Sequence, residues 1–181
     1  IVQSSLDQLP IPKRMRWGAG EAQFVRPVHW IVLLFGADTL PATLLDTQAG
    51  NRTRGHRFHA PAPITLGTPD DYAGALETGG KVIASFAKRR EMIRSGVEAK
   101  AKEIGGRAIL TDALLDEVTA LVEWPVPVAG RFEERFLELP REVLISTLQD
   151  HQRYFAVEDA AGQLLTAFIT VSNIESREPA Q

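Results

Sequence analysis

Apolar residues recur at helical spacing in several parts of the chain. Between Phe86 and Ile104 they lie at intervals of seven, four, four and three residues (Phe86, Ile93, Val97, Ala101 and Ile104), as on one buried face of a helix. A second apolar stripe follows Thr111, which is a suitable N-cap, and Pro140 suits the first turn of a helix that reaches about Asp150. Asp70–Glu77 is a shorter candidate. The pattern therefore predicts four helices.

Continuous apolar runs bounded by turn residues predict strands and two hairpins. Trp30–Phe35 is such a run, ended by Gly36, and is typical of a buried strand that pairs with Leu40–Asp46 across the turn. Tyr154–Glu158 and Leu164–Ser172 flank a polar, glycine-containing turn. The second pair is the clearer hairpin signal.

The proline-containing stretch Trp124–Val128 indicates how the sheet ends. Its two prolines lack the N–H group that a central strand donates, so we expect a sheet edge or an extended connector. Helices and strands are interspersed without a repeating strand–helix–strand unit, which predicts an α+β fold with a mainly antiparallel or mixed sheet core. We expect a linker over residues 1–10, one domain over residues 11–175, and the start of another linker over residues 176–181.

The segment Asn51–His59 concentrates cationic side chains around one glycine. It reads Asn-Arg-Thr-Arg-Gly-His-Arg-Phe-His and lies between a Gly50-Asn51 turn and the prolines of residues 61–63, so the pattern predicts a loop. Guanidinium groups bind phosphate oxygens in pairs, histidines donate to them, and a glycine allows close backbone approach. The segment indicates an anion-binding site, with an ordinary solvated basic loop as the alternative.

Charge is distributed unevenly along the sequence. Residues 1–107 contain 15 basic and 10 acidic side chains, whereas residues 108–181 contain 5 and 13, and the net charge is −3. An excess of basic residues suits a polyanion, because long-range attraction and counterion release both favour binding. The absence of cysteine excludes disulfides and thiolate metal sites. No apolar run has the length of a membrane helix, so we expect a cytoplasmic protein with no membrane partner.

Five motifs follow one another in a fixed order, at Lys13–Trp17, Phe24–Trp30, Asn51–His59, Val122–Val126 and His151–Phe155. In order and spacing they resemble the β subunit of the bacterial two-subunit glycyl-tRNA synthetase. The likeness runs from about Ile11 to Pro179. It implies a sheet core with packed helices similar to the B3/B4 module of the phenylalanyl-tRNA synthetase β subunit.

The resemblance also implies a role in the ATP-dependent attachment of glycine to its tRNA. In that family the α subunit carries the site for glycine, ATP and magnesium, so we expect no catalytic residue, cofactor or metal on this chain. The implied partners are glycine tRNA, the α subunit and other β-subunit domains. The candidate RNA-binding residues are Arg14, Arg16, Arg52, Arg54, His56, Arg57, Phe58 and His59, with Gly55 as a loop hinge of left-handed backbone.

Three other functions are compatible with the residues. The first is a pure scaffold for the α subunit and neighbouring β domains. In another, His56, His59 and His151 hold a metal for a hydrolase, with Asp150 or Glu123 as base. The third is hydrolysis of wrongly charged tRNA, which we consider unnecessary because glycine is the smallest amino acid and larger ones are excluded sterically.

Two further groups of residues have ordinary structural interpretations. We expect the run Lys88–Arg90 to form a solvated helix face, and Arg26 and His29 to form a capping or ion pair. Most of the aromatic residues, Trp30 among them, are more typical of core packing. Phe58 is the exception, because its basic neighbours suit stacking on an unpaired RNA base.

Overall fold

The computed structural model describes residues 1–175, which form two compact units, one over residues 1–80 and one from Lys81 onward. Each unit contains both helices and strands, so the predicted α+β fold is confirmed. The arrangement like the B3/B4 module and the single domain over residues 11–175 stay predictions. The linker expected over residues 1–10 includes a short helix, and the one expected over residues 176–181 lies outside the described residues.

The first unit consists of short strands and two helices. Their bounds are α1 Val2–Asp7, β1 Met15–Arg16, β2 Gln23–Phe24, β3 Ile31–Val32, β4 Leu34–Phe35, β5 Asp38–Thr39, β6 Thr43–Leu44, β7 Thr47–Gly50, β8 Arg52–Arg54, β9 Pro63–Thr65 and α2 Asp71–Gly80. Strands β1 and β2, β4 and β5, and β8 and β9 form antiparallel pairs. Strand β7 pairs with β6 antiparallel and with β3 parallel.

A hairpin follows the apolar run Trp30–Phe35 as predicted, but the predicted bounds of its second strand, Leu40–Asp46, are wrong. Leu40 joins the pairing by donating its backbone N–H to the carbonyl of Leu33 at 3.0 Å, whereas Thr43–Leu44 pairs with β7. The apolar run divides into β3 and β4, and β4 pairs with β5, so that Leu34 lies opposite Thr39. Gly36 has a φ of +58° and closes the chain in a shorter turn than expected. The run is not a buried strand either, because Trp30 is 44% and Phe35 75% exposed at its two ends.

The second unit contains a four-stranded antiparallel sheet in the order β10-β12-β13-β11. Its element bounds are α3 Phe86–Glu103, β10 Arg107–Ala108, α4 Asp112–Leu121, β11 Val126–Arg131, a 3₁₀ helix Glu134–Glu138, α5 Arg141–Ser146, a π-helical turn Thr147–His151, β12 Phe155–Glu158 and β13 Leu164–Ser172. Strand β11 contains Pro127 and lies at an edge, as its missing N–H group predicts. The predicted hairpin of β12 and β13 is also confirmed.

The helices of the second unit begin and end close to the predicted residues. The hydroxyl of Thr111 accepts a hydrogen bond from the backbone of Leu114 at 3.3 Å, which caps α4. Helices α3 and α4 pack against the sheet around one core, which contains Ile93, Val97, Ala101, Leu114, Leu115, Val118, Val122, Phe155, Val157, Ala167 and Ile169. The helical patterns also placed Phe86, Leu121, Val143 and Thr147 on inward faces, and these four residues are exposed instead. Phe86 and Leu121 are the terminal residues of their helices, beyond the packed turns.

The predicted solvated helix face is wrong for Arg89 and Arg90, which are half-buried, whereas Lys88 is exposed. Arg89 donates hydrogen bonds to the backbone carbonyls of Ile83 and Thr119. Arg90 pairs with Asp112 at 2.7 Å and with Asp116 at 2.5 Å. These two arginines connect α3 to α4, because the two helices pack closely enough for α4 to supply carbonyl and carboxylate acceptors.

Candidate nucleic-acid interface

The first part of the basic segment is a strand, so the predicted loop is wrong for those residues. Strand β8 pairs with β9 in a hairpin in which Thr53 lies opposite Ile64 and Arg54 opposite Pro63. Side chains alternate along a strand, and here Thr53 is buried while Arg52 and Arg54 are exposed. β-Branched residues at the central pair favour this extended conformation. The loop proper therefore begins at Gly55.

His56 organises the turn that follows β8. Only 3% of its surface is exposed, and its backbone nitrogen donates to the carbonyl of Gly80 at 2.7 Å. Its Nδ1 atom accepts the backbone N–H groups of Phe58 and His59, both at 3.3 Å. His56 thus shapes the turn, and its burial leaves little surface for the RNA contact predicted from the sequence.

The left-handed backbone expected at Gly55 is not found, since the described glycines with positive φ are Gly18, Gly36, Gly105 and Gly162. A different reason requires glycine there. A Cβ atom on Gly55 would overlap the carbonyl oxygen and Cα of Gly80, which ends α2. Gly55 therefore allows two backbone segments to pack in direct contact, and this contact places the loop.

Three exposed arginines form the cationic part of the hairpin. Arg54 and Arg57 line a groove of about 520 Å³ together with His29, Trp30 and Pro61. The Nη1 atom of Arg54 donates to the carbonyl of Pro61 at 3.3 Å, which orients the guanidinium without neutralising it. Among the described residues, no acidic side chain forms an ion pair with Arg52, Arg54 or Arg57. Their charges are therefore available to an anion.

The aromatic and histidine side chains of the loop lie beside these arginines in sequence. Phe58 is 71% exposed, with its ring centroid 6.1 Å from that of His56. The ring of His59 lies 4.7 Å from His56 and tilts against it by 33°. Phe58 therefore presents a free ring to solvent, in the position where stacking on a base was expected.

Arg14 and Arg16 lie in a different, mixed-charge part of the first unit. Arg16 pairs with Glu21 at 3.0 Å, and Arg14 donates to the backbone carbonyl of Asp7 at 2.9 Å. The depression that contains Arg14 is also lined by Asp7, Glu21 and Asp46. The structure does not bring these two arginines into the groove of Arg54 and Arg57. Their predicted contact with RNA stays a prediction with weaker electrostatic support.

Sequence reasoning missed two residues of the groove. His29 was expected to pair with Arg26, yet Arg26 donates to the backbone carbonyl of Val25, and His29 is exposed in the groove. Trp30 was expected in a core, yet it is partly exposed and its Nε1 atom donates to the Thr53 hydroxyl at 3.3 Å. Both residues belong to the motif Phe24–Trp30, which precedes the basic segment, and this was the one sign in the sequence that they could share its site.

The described residues give no support to metal chemistry. Over residues 1–175, no three histidine, cysteine, aspartate or glutamate side chains are grouped so that they could hold a metal ion. The adjacent rings of His56 and His59 make only a pair, and Nδ1 of His56 is already an acceptor. In the same part of the chain, every helix is too short or too polar to cross a bilayer.

Comparison with known proteins gives a consistent relationship over the entire chain. Residues 1–181 match the family model described as glycyl-tRNA synthetase beta subunit, and the chain belongs to this family. It is 56% identical to the glycine–tRNA ligase beta subunit of Marinobacter nauticus and 55% identical to that of Hahella chejuensis. It is also 56% identical to the same subunit of Stutzerimonas stutzeri. Each alignment covers 100% of this chain and 26% of the relative, so the chain spans about a quarter of their length.

Proposed function

We propose that this chain is a non-catalytic tRNA-binding domain of a glycine–tRNA ligase β subunit. The observation that carries the proposal is the group of three exposed arginines on the β8–β9 hairpin and its loop, none of them in an ion pair with an acid among residues 1–175. An exposed arginine without an ion-pair partner contributes little to folding stability, so a structural role does not explain all three. A phosphate backbone supplies the missing counter-charges.

The local structure supports phosphate binding by a fixed surface. The β8–β9 pairing sets the spacing of Arg52 and Arg54, and the turn around His56 sets the position of Arg57. The guanidinium of Arg54 is further oriented by its hydrogen bond to the carbonyl of Pro61. A guanidinium offers two parallel N–H groups to one phosphate, and less side-chain entropy is lost on binding where the group is already oriented. The hairpin thus combines charge with preorganisation, which a disordered basic loop lacks.

We further propose that the chemistry of the whole ligase takes place elsewhere. The glycine, ATP and magnesium sites are assigned to the α subunit, and this domain contributes by holding glycine tRNA while the amino acid is attached. The α subunit and the remaining β-subunit domains are its expected protein partners, in the cytoplasm where protein synthesis takes place. The names of the relatives, which are glycine–tRNA ligase beta subunits, support the existence of an α subunit as partner.

A scaffold role is the second candidate, because the second unit has an exposed apolar surface. Phe136, Leu137, Leu139 and Val143 are all exposed along the 3₁₀ helix and α5. Such a surface suits a protein neighbour, and most of the relatives' length lies outside this chain. The metal-dependent or deacylating hydrolase has no comparable observation in its favour.

Ultraviolet crosslinking of the intact α and β subunit complex to glycine tRNA separates the two candidates. RNA binding by the hairpin predicts crosslinked peptides that contain Phe58 or its neighbouring residues, since an exposed aromatic ring crosslinks efficiently to a stacked base. A pure scaffold predicts crosslinks only in other parts of the complex. The latter pattern, at saturating tRNA, overturns the proposed RNA-binding role.

A further inference from the structure

An apolar pocket adjoins the cationic groove through a shared residue. The pocket has a volume of about 500 Å³, and its walls include Trp30, Val32, Leu34, Leu66, Pro69 and Tyr72. Trp30 also lines the groove of Arg54 and Arg57. The pocket walls contain no charged side chain, and the volume is typical of small-molecule sites, which are about 300–1,000 Å³. A charged groove and an uncharged aromatic pocket therefore have Trp30 in common as a lining residue.

The hydroxyl of Thr53 lies in this pocket and does not donate its proton to any described residue. Thr53 is only 3% exposed and lines the pocket, and its hydroxyl accepts the Nε1–H of Trp30 at 3.3 Å. A hydroxyl also has a proton to donate. No acceptor for that proton occurs among the residues that the structure describes. A ligand with a lone pair in its plane would complete this hydrogen bond.

We propose that the pocket binds one unpaired nucleobase of tRNA, whose phosphates lie on Arg54 and Arg57. The base packs against both aromatic side chains of the pocket, Trp30 and Tyr72, and a ring nitrogen or carbonyl oxygen on its edge accepts from Thr53. This inference rests on the proposed RNA-binding function and adds a preference for single-stranded nucleotides to it. A base inside a duplex cannot enter, because both of its faces are covered by its neighbours in the stack.

The adjoining charge is what favours a nucleotide over an apolar protein side chain. A nucleotide carries a planar apolar base and an anionic phosphate a short distance apart. The apolar pocket suits the base, and the adjoining groove of Arg54 and Arg57 suits the phosphate. A protein segment would fill the apolar pocket but leave Arg54 and Arg57 without counter-charges, unless it also carried acids. The combination of stacking rings and arginines is the usual basis of single-strand recognition.

The test uses the complete enzyme with both subunits and compares two RNA probes. One probe is a glycine tRNA transcript, which has unpaired nucleotides, and the other is a blunt RNA duplex, which has none. Tyr72 is exposed in the first turn of α2, so Tyr72→Leu preserves an apolar side chain while removing the ring. Tyr72→Phe is the matched control, because it keeps the ring. Arg54→Ala combined with Arg57→Ala tests the underlying RNA-binding function.

We expect Tyr72→Leu to weaken binding of the tRNA about tenfold and to leave binding of the duplex unchanged, since loss of one stacked base has an effect of this order. Tyr72→Phe should bind both probes normally. The double arginine variant should weaken both. A Trp30→Leu enzyme that remains folded by thermal melting should repeat the Tyr72→Leu result.

Three outcomes overturn the inference and identify what replaces it. If the arginine variant weakens tRNA binding and Tyr72→Leu does not, the basic surface stands and the base pocket is wrong. If neither variant changes tRNA affinity, the proposed function fails as well. If Tyr72→Leu separates the subunits in sedimentation while tRNA affinity per assembled enzyme is unchanged, the pocket is a protein-docking surface.

Discussion

The backbone nitrogen of His56 lies 2.7 Å from the carbonyl oxygen of Gly80, which joins the basic hairpin to the end of α2. Gly55 and Gly80 pack directly against each other at this point, where a Cβ on Gly80 would lie 3.3 Å from the Gly55 Cα. The positions of Arg57 and Phe58 depend on this contact, because both follow His56 in the turn. Gly55 has an ordinary backbone conformation, yet glycine is required there because the chain packs directly against Gly80.

Replacement of Gly55 by alanine should destabilise the protein by about 1–3 kcal/mol, as overpacking against fixed backbone does. Gly55→Val should do so more strongly and reduce tRNA charging more than glycine activation. Urea unfolding measures the first effect. Gly74→Ala in α2 is the control, because a Cβ there meets nothing within 4 Å and alanine favours a helix by up to about 1 kcal/mol. Equal stability of the two alanine variants would contradict the packing role.

Local signals in the sequence were sufficient for much of the second unit. The helical periodicity of Phe86–Ile104, the cap at Thr111 and the prolines near Val126 each act within one element, and the structure confirms what they predict. The first unit was harder, because its strands have two to four residues and their pairing depends on turn geometry. Contacts between elements distant in sequence, such as Gly55 with Gly80, have no local signal at all.

Of the candidate site, too, the sequence revealed the local feature but not the contacts between distant elements. Clustered arginines identify a basic segment from sequence alone, and the segment does form an exposed cationic surface. Whether a given side chain faces solvent depends on the fold, so the sequence did not reveal that His56 is buried or that Trp30 lines the groove. The ion pair of Arg16 with Glu21 could not be seen in the sequence either, since it depends on the turn between β1 and β2.

Stability should depend on pH through Glu158. Hydrogen bonding from Arg107 lowers the pKa of Glu158, with a further contribution from Arg141 at 2.5 Å, while burial opposes both. A carboxyl whose pKa is depressed in the folded state stabilises it above the unfolded pKa of about 4.3, and loses this contribution as the pH falls through the folded value. The stabilisation is therefore complete at neutral pH.

Glu158→Gln should reduce the free energy of unfolding at pH 7 by about 1–2 kcal/mol, since the two arginines face solvent and water partly replaces the lost interactions. The difference from the unsubstituted protein should shrink as the pH is lowered below about 5. Unfolding curves from pH 7 to pH 3 measure it. Glu133→Gln, which removes an exposed pair with Arg135, should change little at any pH. A constant difference across this range would exclude the proposed titration.

Arg89 should matter for stability, unlike an ordinary basic residue on a helix surface. Arg89→Ala removes the donors for the carbonyls of Ile83 and Thr119 and should destabilise the protein by about 1–3 kcal/mol. The exposed Lys102 on the same helix provides the control, and Lys102→Ala should be within about 0.5 kcal/mol of the starting protein. Thermal unfolding of both variants checks this. A similar effect of the two substitutions would restore the solvated-face interpretation.

The isolated chain should not form glycyl-adenylate from glycine, ATP and magnesium, because we propose that those sites lie on the α subunit. Pyrophosphate exchange is the measurement. Addition of the α subunit together with the rest of the β subunit should give activity, which controls for inactive reagents. Exchange by the chain alone, retained through several purification steps, would show that the chemistry is not divided as proposed.

The salt dependence of tRNA binding tests the central claim most directly. Arg52, Arg54 and Arg57 are replaced together by alanine in the intact enzyme, and Arg135→Ala, which removes an exposed arginine already paired with Glu133, is the control. Each phosphate contact contributes a slope of about 0.7–0.9 to the plot of log affinity against log salt concentration. We predict that the triple variant has normal thermal stability, weaker tRNA binding and a slope reduced by about 2–3, while the control is unchanged. An unchanged slope in a folded triple variant would contradict the claim that this hairpin binds RNA phosphates.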